Sequence, residues 1–169
     1  MSRLRARLGF WDQAIASPSR AARESAAAVA DKVLAEPALR DCDHGRWTGR
    51  PMGEVEADDR DAFANWLTDP HAAPHGGESL AGVVVRLRSW LEGCGAAPGS
   101  RLVVAPPFIV RALVVAALDL PLPAFWRLDA APFAVSRLAA QAGRWRLAAF
   151  NAKPERIASA PFEAGSRQG

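Results

Sequence analysis

The sequence predicts an α/β fold: a three-layer sandwich with a mostly parallel sheet and helices on both faces. Two observations carry that prediction. Leu102 to Ala105 is a short apolar, β-branched run stopped by Pro106 and Pro107, and an apolar stretch rich in Ala and Leu follows from Phe108 to Leu120. This is a strand, a tight turn and a helix, because proline cannot donate to a sheet ladder yet suits the first turn of a helix. A second unit of the same kind runs from Asp12, with a strand candidate over DQAIA and then Ser17 and Pro18 opening SPSRAARESAAAVADKVLA. Serine before proline is a helix start. Two strand-turn-helix units imply parallel strands, and in such sheets ligands bind beside the turns at the carboxyl edge.

The remaining elements follow in order. Residues 3 to 10 read as the end of a helix, with Leu4 and Leu8 on one face and Gly9 as its stop. The helix opened by Ser17 is expected to continue to Ala35. Residues 37–49 (PALRDCDHGRWTG) are irregular. Asp58 to Leu67 is a short helix with Phe63, Trp66 and Leu67 on one face. DPHAAPHGGES, residues 69–79, is a loop by composition. Leu80, Val83, Val84, Leu87, Trp90 and Leu91 stand at helical spacing, and residues 94–100 form a connector. Trp126, Arg127 and Asp129 suggest a salt-linked corner. Two strands near 133–139 and 145–150, joined by Gln-Ala-Gly, make a hairpin at one edge of the sheet. Residues 1–152 form a single domain and 153–169 a loose tail.

At 169 residues the chain is long enough to bury roughly two thirds of its unfolded surface. Every long apolar run is interrupted by prolines, so no membrane span is expected. Its N-terminus lacks a secretory h-region and there are two cysteines, Cys42 and Cys94, so a cytoplasmic location with reduced thiols is expected. The net charge of +3 comes mostly from scattered arginines, with one group at Arg3, Arg5, Arg7, Arg20 and Arg23. A nucleic-acid binder needs a continuous basic stripe with interleaved aromatics, and none is present. A few convergent arginines suit a small anionic molecule better. No cofactor is implied. Asp41, Cys42, Asp43 and His44 cannot all face one ion from an extended loop, so no metal site is expected either.

SPSRAARESA, LRDCDHGRWTGRPMGEV, FANWLTDPHAAPHGGES, RLVVAPPFIVRALV, FWRLDAAPFAVSRL and GRWRLAAFN, in this order, resemble the histidine phosphatase (phosphoglycerate mutase-like) superfamily. The nearest likeness is to its bacterial cobalamin-pathway phosphatases. The resemblance covers residues 4 to 151. It implies phosphoryl transfer to a histidine surrounded by fixed cations, which the charge on three phosphoryl oxygens requires. The chain departs from that pattern at its reactive positions. It contains no R-H-G motif, so the expected alignment starts after the family's first strand. The helix-start arginine position falls on Ala21, with Arg20 one place early. The histidine of the family's T-H-G turn falls on Pro106, beside Pro107 and Phe108. Asp41 stands where the leaving-group acid would be, and Arg111 and the loop Gly76-Gly77-Glu78-Ser79 match supporting parts.

From this come the expected ligand contacts: Ser17, Arg20, Arg23, Glu78, Ser79, Pro106, Pro107, Phe108 and Arg111. Asp41 and His75 are the candidate catalytic acid/base pair. The alternative is that His44 caps or packs against Trp47 while His71 and His75 are solvated. The leading functional expectation is a degenerate family member, lacking both catalytic imidazoles, that binds a small metabolite or regulates. The alternatives are a phosphomonoesterase on a small phosphorylated metabolite, or an acid/base enzyme of non-phosphoryl chemistry reusing the pocket. Without the family's central strand, that strand's neighbours are expected to pair directly, or a homodimer to fill the slot.

Overall fold

The computed structural model describes residues 8–95, 99–141 and 143–154. Strand β1 (Trp11–Ala16) lies at the centre of a parallel sheet ordered β2-β1-β3, with β2 at Ala30–Ala35 and β3 at Leu102–Val104. Its register sets Trp11 against Ala30 and Ala16 against Ala35 on one side, and Ala14 against Leu102 and Ala16 against Val104 on the other. Alternation along the strand then fixes the layers. Ala14 and Ala16, both fully buried, face helix α1 (Arg20–Ala27), which meets them with Ala26. Small residues on both sides let helix and sheet approach closely.

The opposite face carries Ile15, Val103 and Ala105 onto the main core. That core is built from helix α4 (Leu80–Gly95) and helix α5 (Pro107–Ala117). Leu80, Val83, Val84, Leu87 and Leu91 supply one wall and Ile109, Ala112 and Leu113 another. At about 1.5–3 kcal/mol for each large apolar side chain removed from water, this layer dominates the favourable side of folding. Between the strands and α4 lie two short helices, α2 (Met52–Asp58) and α3 (Arg60–Thr68). They enclose a separate aromatic core of Trp47, Val55 and Trp66, with Phe63, Phe108 and Trp126 against it.

Several expectations need correction. The helix after Ser17 stops at Ala27, and ADKVLA forms β2, an edge strand whose Asp31 and Lys32 are exposed. Pairing with β1 overrides the helical propensity of an Ala/Lys/Leu segment. Helix α2 was not foreseen, since Val55 is its single buried residue. Helix α4 runs on through Cys94 instead of ending at Leu91. The hairpin strands, β4 (Val135–Gln141) and β5 (Arg144–Ala152), pair antiparallel as expected, but they form a separate two-stranded sheet. Leu138 and Trp145 hold it on the main core, and no ladder joins it to β3 among the described residues. The expected direct pairing across the gap is therefore not formed. Arg127 and Asp129 make no ion pair with each other; Asp129 lies instead in the field of Arg111. The tail from 155 and residues 3–7 of the helix expected over 3–10 lie outside the described residues, while Gly9, its expected stop, sits at φ +73°.

Candidate functional site

The turns after β1 and β3 are joined at the carboxyl edge. The Ser17 N–H donates to Val104 O at 2.8 Å, and Ser17 is fully buried. Beside it the chain passes through Pro106, the N-cap of α5, and Pro107 at its first position. Neither proline carries an N–H, so the start of α5 has lost two of the donors that make a helix N-terminus attract anions. At the start of α1 the Ser19 hydroxyl accepts from Ala22 N–H at 3.3 Å, and Arg23 N–H donates to Ser19 O at 3.1 Å. Arg20 points away: its side chain is 87% exposed and pairs with Glu24 at 2.6 Å. Arg23 is exposed as well. These two do not converge with the α5 turn.

Two loops that carry the recognisable motifs cross beside this edge. Glu78 N–H donates to Asp43 O at 2.8 Å, Arg46 N–H to His75 O at 3.0 Å, and the Arg46 guanidinium to Pro74 O. The crossing is tight enough to require glycine. A Cβ on Gly77 would overlap Asp43 O and lie 2.7 Å from the Asp43 carbonyl carbon and Gly45 N; Gly45 also sits at φ +47°. Glu78 is fully engaged: it receives Arg86 through both oxygens at 2.9 and 2.7 Å, and Arg40 at 3.1 Å. Arg86 also donates to Ala38 O at 2.5 Å and to Arg40 O at 3.2 Å. The Ser79 hydroxyl accepts from Gly82 N–H at 3.1 Å and so caps α4. Both residues expected to touch ligand also hold the loop.

The proposed acid/base pair is not assembled. Asp41 is exposed and accepts from the Cys42 N–H at 3.0 Å, with no contact to His75. His75 is not solvated either: it is 2% exposed, with its ring 4.9 Å from Trp47 and 5.7 Å from His44. Its Nδ1 accepts the Gly77 N–H at 3.0 Å, which leaves the proton on Nε2 in the neutral ring. Burial, and then the neighbouring His44, hold its pKa below the usual imidazole value. Nε2 has no partner, and neither does the buried indole N–H of Trp66. His44 caps the short 3-10 turn Gly45–Trp47, its carbonyl accepting the Trp47 N–H at 2.9 Å, while its ring packs against Trp66, His75 and Phe108 and bonds Cys42 O through Nδ1 at 2.9 Å. His71 is exposed, as expected. Burial, followed by Glu78 and Asp41, pushes the Cys42 thiol up to about 12.

What the structure does bring together is an aromatic wall ending in one guanidinium. Phe108 packs on Phe125 (centroids 4.6 Å), Phe125 on Trp126 (4.9 Å) and Trp126 on Trp66 (4.8 Å). Arg111 lies over the Phe125 ring at 4.3 Å and near Phe108 at 5.7 Å. Sequence reasoning named Phe108 and Arg111 as ligand contacts and read Trp66 and Trp126, like the other tryptophans, as core or pocket wall. The available signal was the helical spacing of Phe63 and Trp66. Among the described residues no group of three or more His, Cys, Asp or Glu could hold a metal ion, and no helix is long and apolar enough to cross a membrane.

The layers, the parallel register and the joined strand-end turns define an α/β protein whose two strand-turn-helix units meet at one sheet edge. The family model of the histidine phosphatase superfamily (branch 1) matches residues 2–153, and the chain belongs to that family. Phosphoserine phosphatase 1 of Hydrogenobacter thermophilus is 34% identical over 98 residues, which is 56% of this chain and 46% of that protein. The chain thus matches under half the length of this curated relative. Among solved structures, a mycobacterial glucosyl-3-phosphoglycerate phosphatase in complex with inorganic phosphate is similar at 27% identity and a TM-score of 0.74, covering 84% of this chain and 77% of that one. An alpha-ribazole phosphatase from Shigella flexneri shares the fold at 20% identity and a TM-score of 0.76, with 88% and 78% covered.

Proposed function

We propose that this chain is a degenerate member of its family, which binds a small molecule at the carboxyl edge without forming a phosphohistidine. The observation that carries this reading is the turn after β3. Pro106, Pro107 and Phe108 offer no nucleophile, no proton donor and no cation there, and two backbone donors are missing as well. Histidines occur in the chain only at 44, 71 and 75. None lies at a strand end, and the buried one is held neutral by the Gly77 N–H and by desolvation. A covalent nucleophile has no electrostatic substitute, and each missing charge at a phosphoryl site costs a few kcal/mol of transition-state stabilisation, ~3 by the oxyanion-hole comparison.

The test is turnover of p-nitrophenyl phosphate and of phosphoserine by the 169-residue protein, with trapping of acid-labile phosphoprotein. Background turnover and no trapped phosphate are expected. A phosphoenzyme, or tight inorganic phosphate binding lost in Arg20→Ala, overturns the reading. The second reading, a small-metabolite phosphomonoesterase, is favoured by one specific observation: the 34% identity to a phosphoserine phosphatase. The same assay decides between them.

A further inference from the structure

We propose that Arg111, set on the Phe108–Phe125 rings, anchors a ligand on this surface, and that the ligand is a small carboxylate with a flat apolar body. The inference rests on the binding reading above and names its ligand class. It starts from a contrast among the arginines. Arg20, Arg40, Arg46, Arg50, Arg86 and Arg88 each pair with a carboxylate. Arg111 is half-buried and makes no hydrogen bond or ion pair with any described residue; its contacts are the faces of Phe108 and Phe125.

A guanidinium has five N–H donors in a rigid plane. Partial burial removes water from it without supplying an acceptor among the described residues, and the two ring faces hold the guanidinium in place without using its N–H donors. Burial accordingly lowers its hold on the proton, against the opposing pull of Asp129. A planar fork of this kind matches a carboxylate through two parallel hydrogen bonds.

Two further observations set the class. Asp129 is the charged group whose field reaches Arg111, so the local balance of one cation and one carboxylate disfavours a phosphate dianion. Beside the guanidinium, Phe108 and Trp126 are only half-buried and offer ring surface, backed by the buried Phe125 and Trp66. An apolar planar body can lie on such a surface while its carboxylate meets Arg111.

The experiment titrates the whole protein with 1-naphthoate, using 1-naphthalenemethanol as the neutral control and inorganic phosphate as the dianion. Naphthoate is expected to bind in preference to both. Arg111→Met, which keeps the apolar stem, should weaken it by at least about tenfold, the fold-change of one charge-assisted hydrogen bond. Arg111→Lys should recover part of that loss. Asp129→Asn, at an exposed position, should tighten binding about two- to threefold by removing a competing charge in a high-dielectric setting. Equal binding of the alcohol, unchanged affinity in Arg111→Met, or no naphthoate binding by the parent protein overturns the proposal. Should Arg111→Met fail to fold, the Asp129→Asn arm decides, and an unchanged affinity there overturns it. Turnover of p-nitrophenyl phosphate would sink the binding reading whatever naphthoate does; absent naphthoate binding without turnover sinks this inference alone.

Discussion

Gly77→Ala is the most direct test of how the pocket edge is held. Gly77 has an ordinary φ, so the methyl group adds no backbone strain and acts through space alone. The Cβ would overlap Asp43 O and press on backbone atoms 2.7 Å away, and backbone cannot rotate aside as a side chain does. The two loops must separate. That removes Glu78 N–H to Asp43 O (2.8 Å) and Arg46 N–H to His75 O (3.0 Å), and it disturbs Gly77 N–H to His75 Nδ1 (3.0 Å). At about 1 kcal/mol net for each bond, the cost is about 3 kcal/mol. In a chain of this length that lowers Tm by roughly 6–12 °C. Urea and thermal unfolding measure it, with Gly53→Ala as the control, because a Cβ there meets nothing within 4 Å. If Gly77→Ala stays within about 0.5 kcal/mol of the parent, the crossing does not hold these loops and the account of the site's frame is wrong.

Three more outcomes follow from the same structure. Gly93→Ala, inside α4 with open space around the new Cβ, should stabilise by up to about 1 kcal/mol, and a lower urea midpoint would contradict it. His75 has a folded pKa below its unfolded value, so the unfolded chain binds more protons in that interval; stability is full above the unfolded pKa and falls as pH drops below it. Thermal scans from pH 8 to pH 5 should show the decline, and His75→Asn should flatten it. Cys42, pushed up to about 12 and buried, should resist iodoacetamide at pH 8 until the protein is denatured; rapid alkylation of the native protein at Cys42 would contradict its placement.

Legibility in the sequence followed the range of the forces involved. The β3-turn-α5 unit was readable because β-branched residues, two prolines and an apolar helix all act within twenty residues. Helix α4 was readable from its spacing alone. Strand β2 was not, because ADKVLA owes its conformation to a ladder with β1 and local propensity points the other way. Burial of His75 was hidden for a related reason. Its loop is polar and glycine-rich by composition, and the ring is enclosed by Trp47, Trp66 and His44, which arrive from other elements. The absence of an imidazole at the α5 turn was readable directly, since Pro106 is a matter of covalent sequence.

The pairing of polar groups is what singles out Arg111 in the proposed ligand role. Around the G-R-W and G-G-E-S segments, Asp59, Glu78 and Ser79 already have internal partners. Asp59 receives Trp47 Nε1 at 3.0 Å and the Arg46 guanidinium, and these bonds hold its carboxyl below the usual range. Glu78 is occupied by Arg86 and Arg40, and Ser79 by Gly82. Freeing any of them for a ligand would leave an arginine or a backbone N–H unpaired, a cost of about 1–3 kcal/mol before binding begins. Arg111 carries no such cost. Its donors have no partner to give up, its stem and plane are fixed by Phe108 and Phe125, and its one opposing charge lies beyond ion-pair distance. The family motifs thus build the frame, and the proposed hold on a small carboxylate rests on the guanidinium that no described residue pairs.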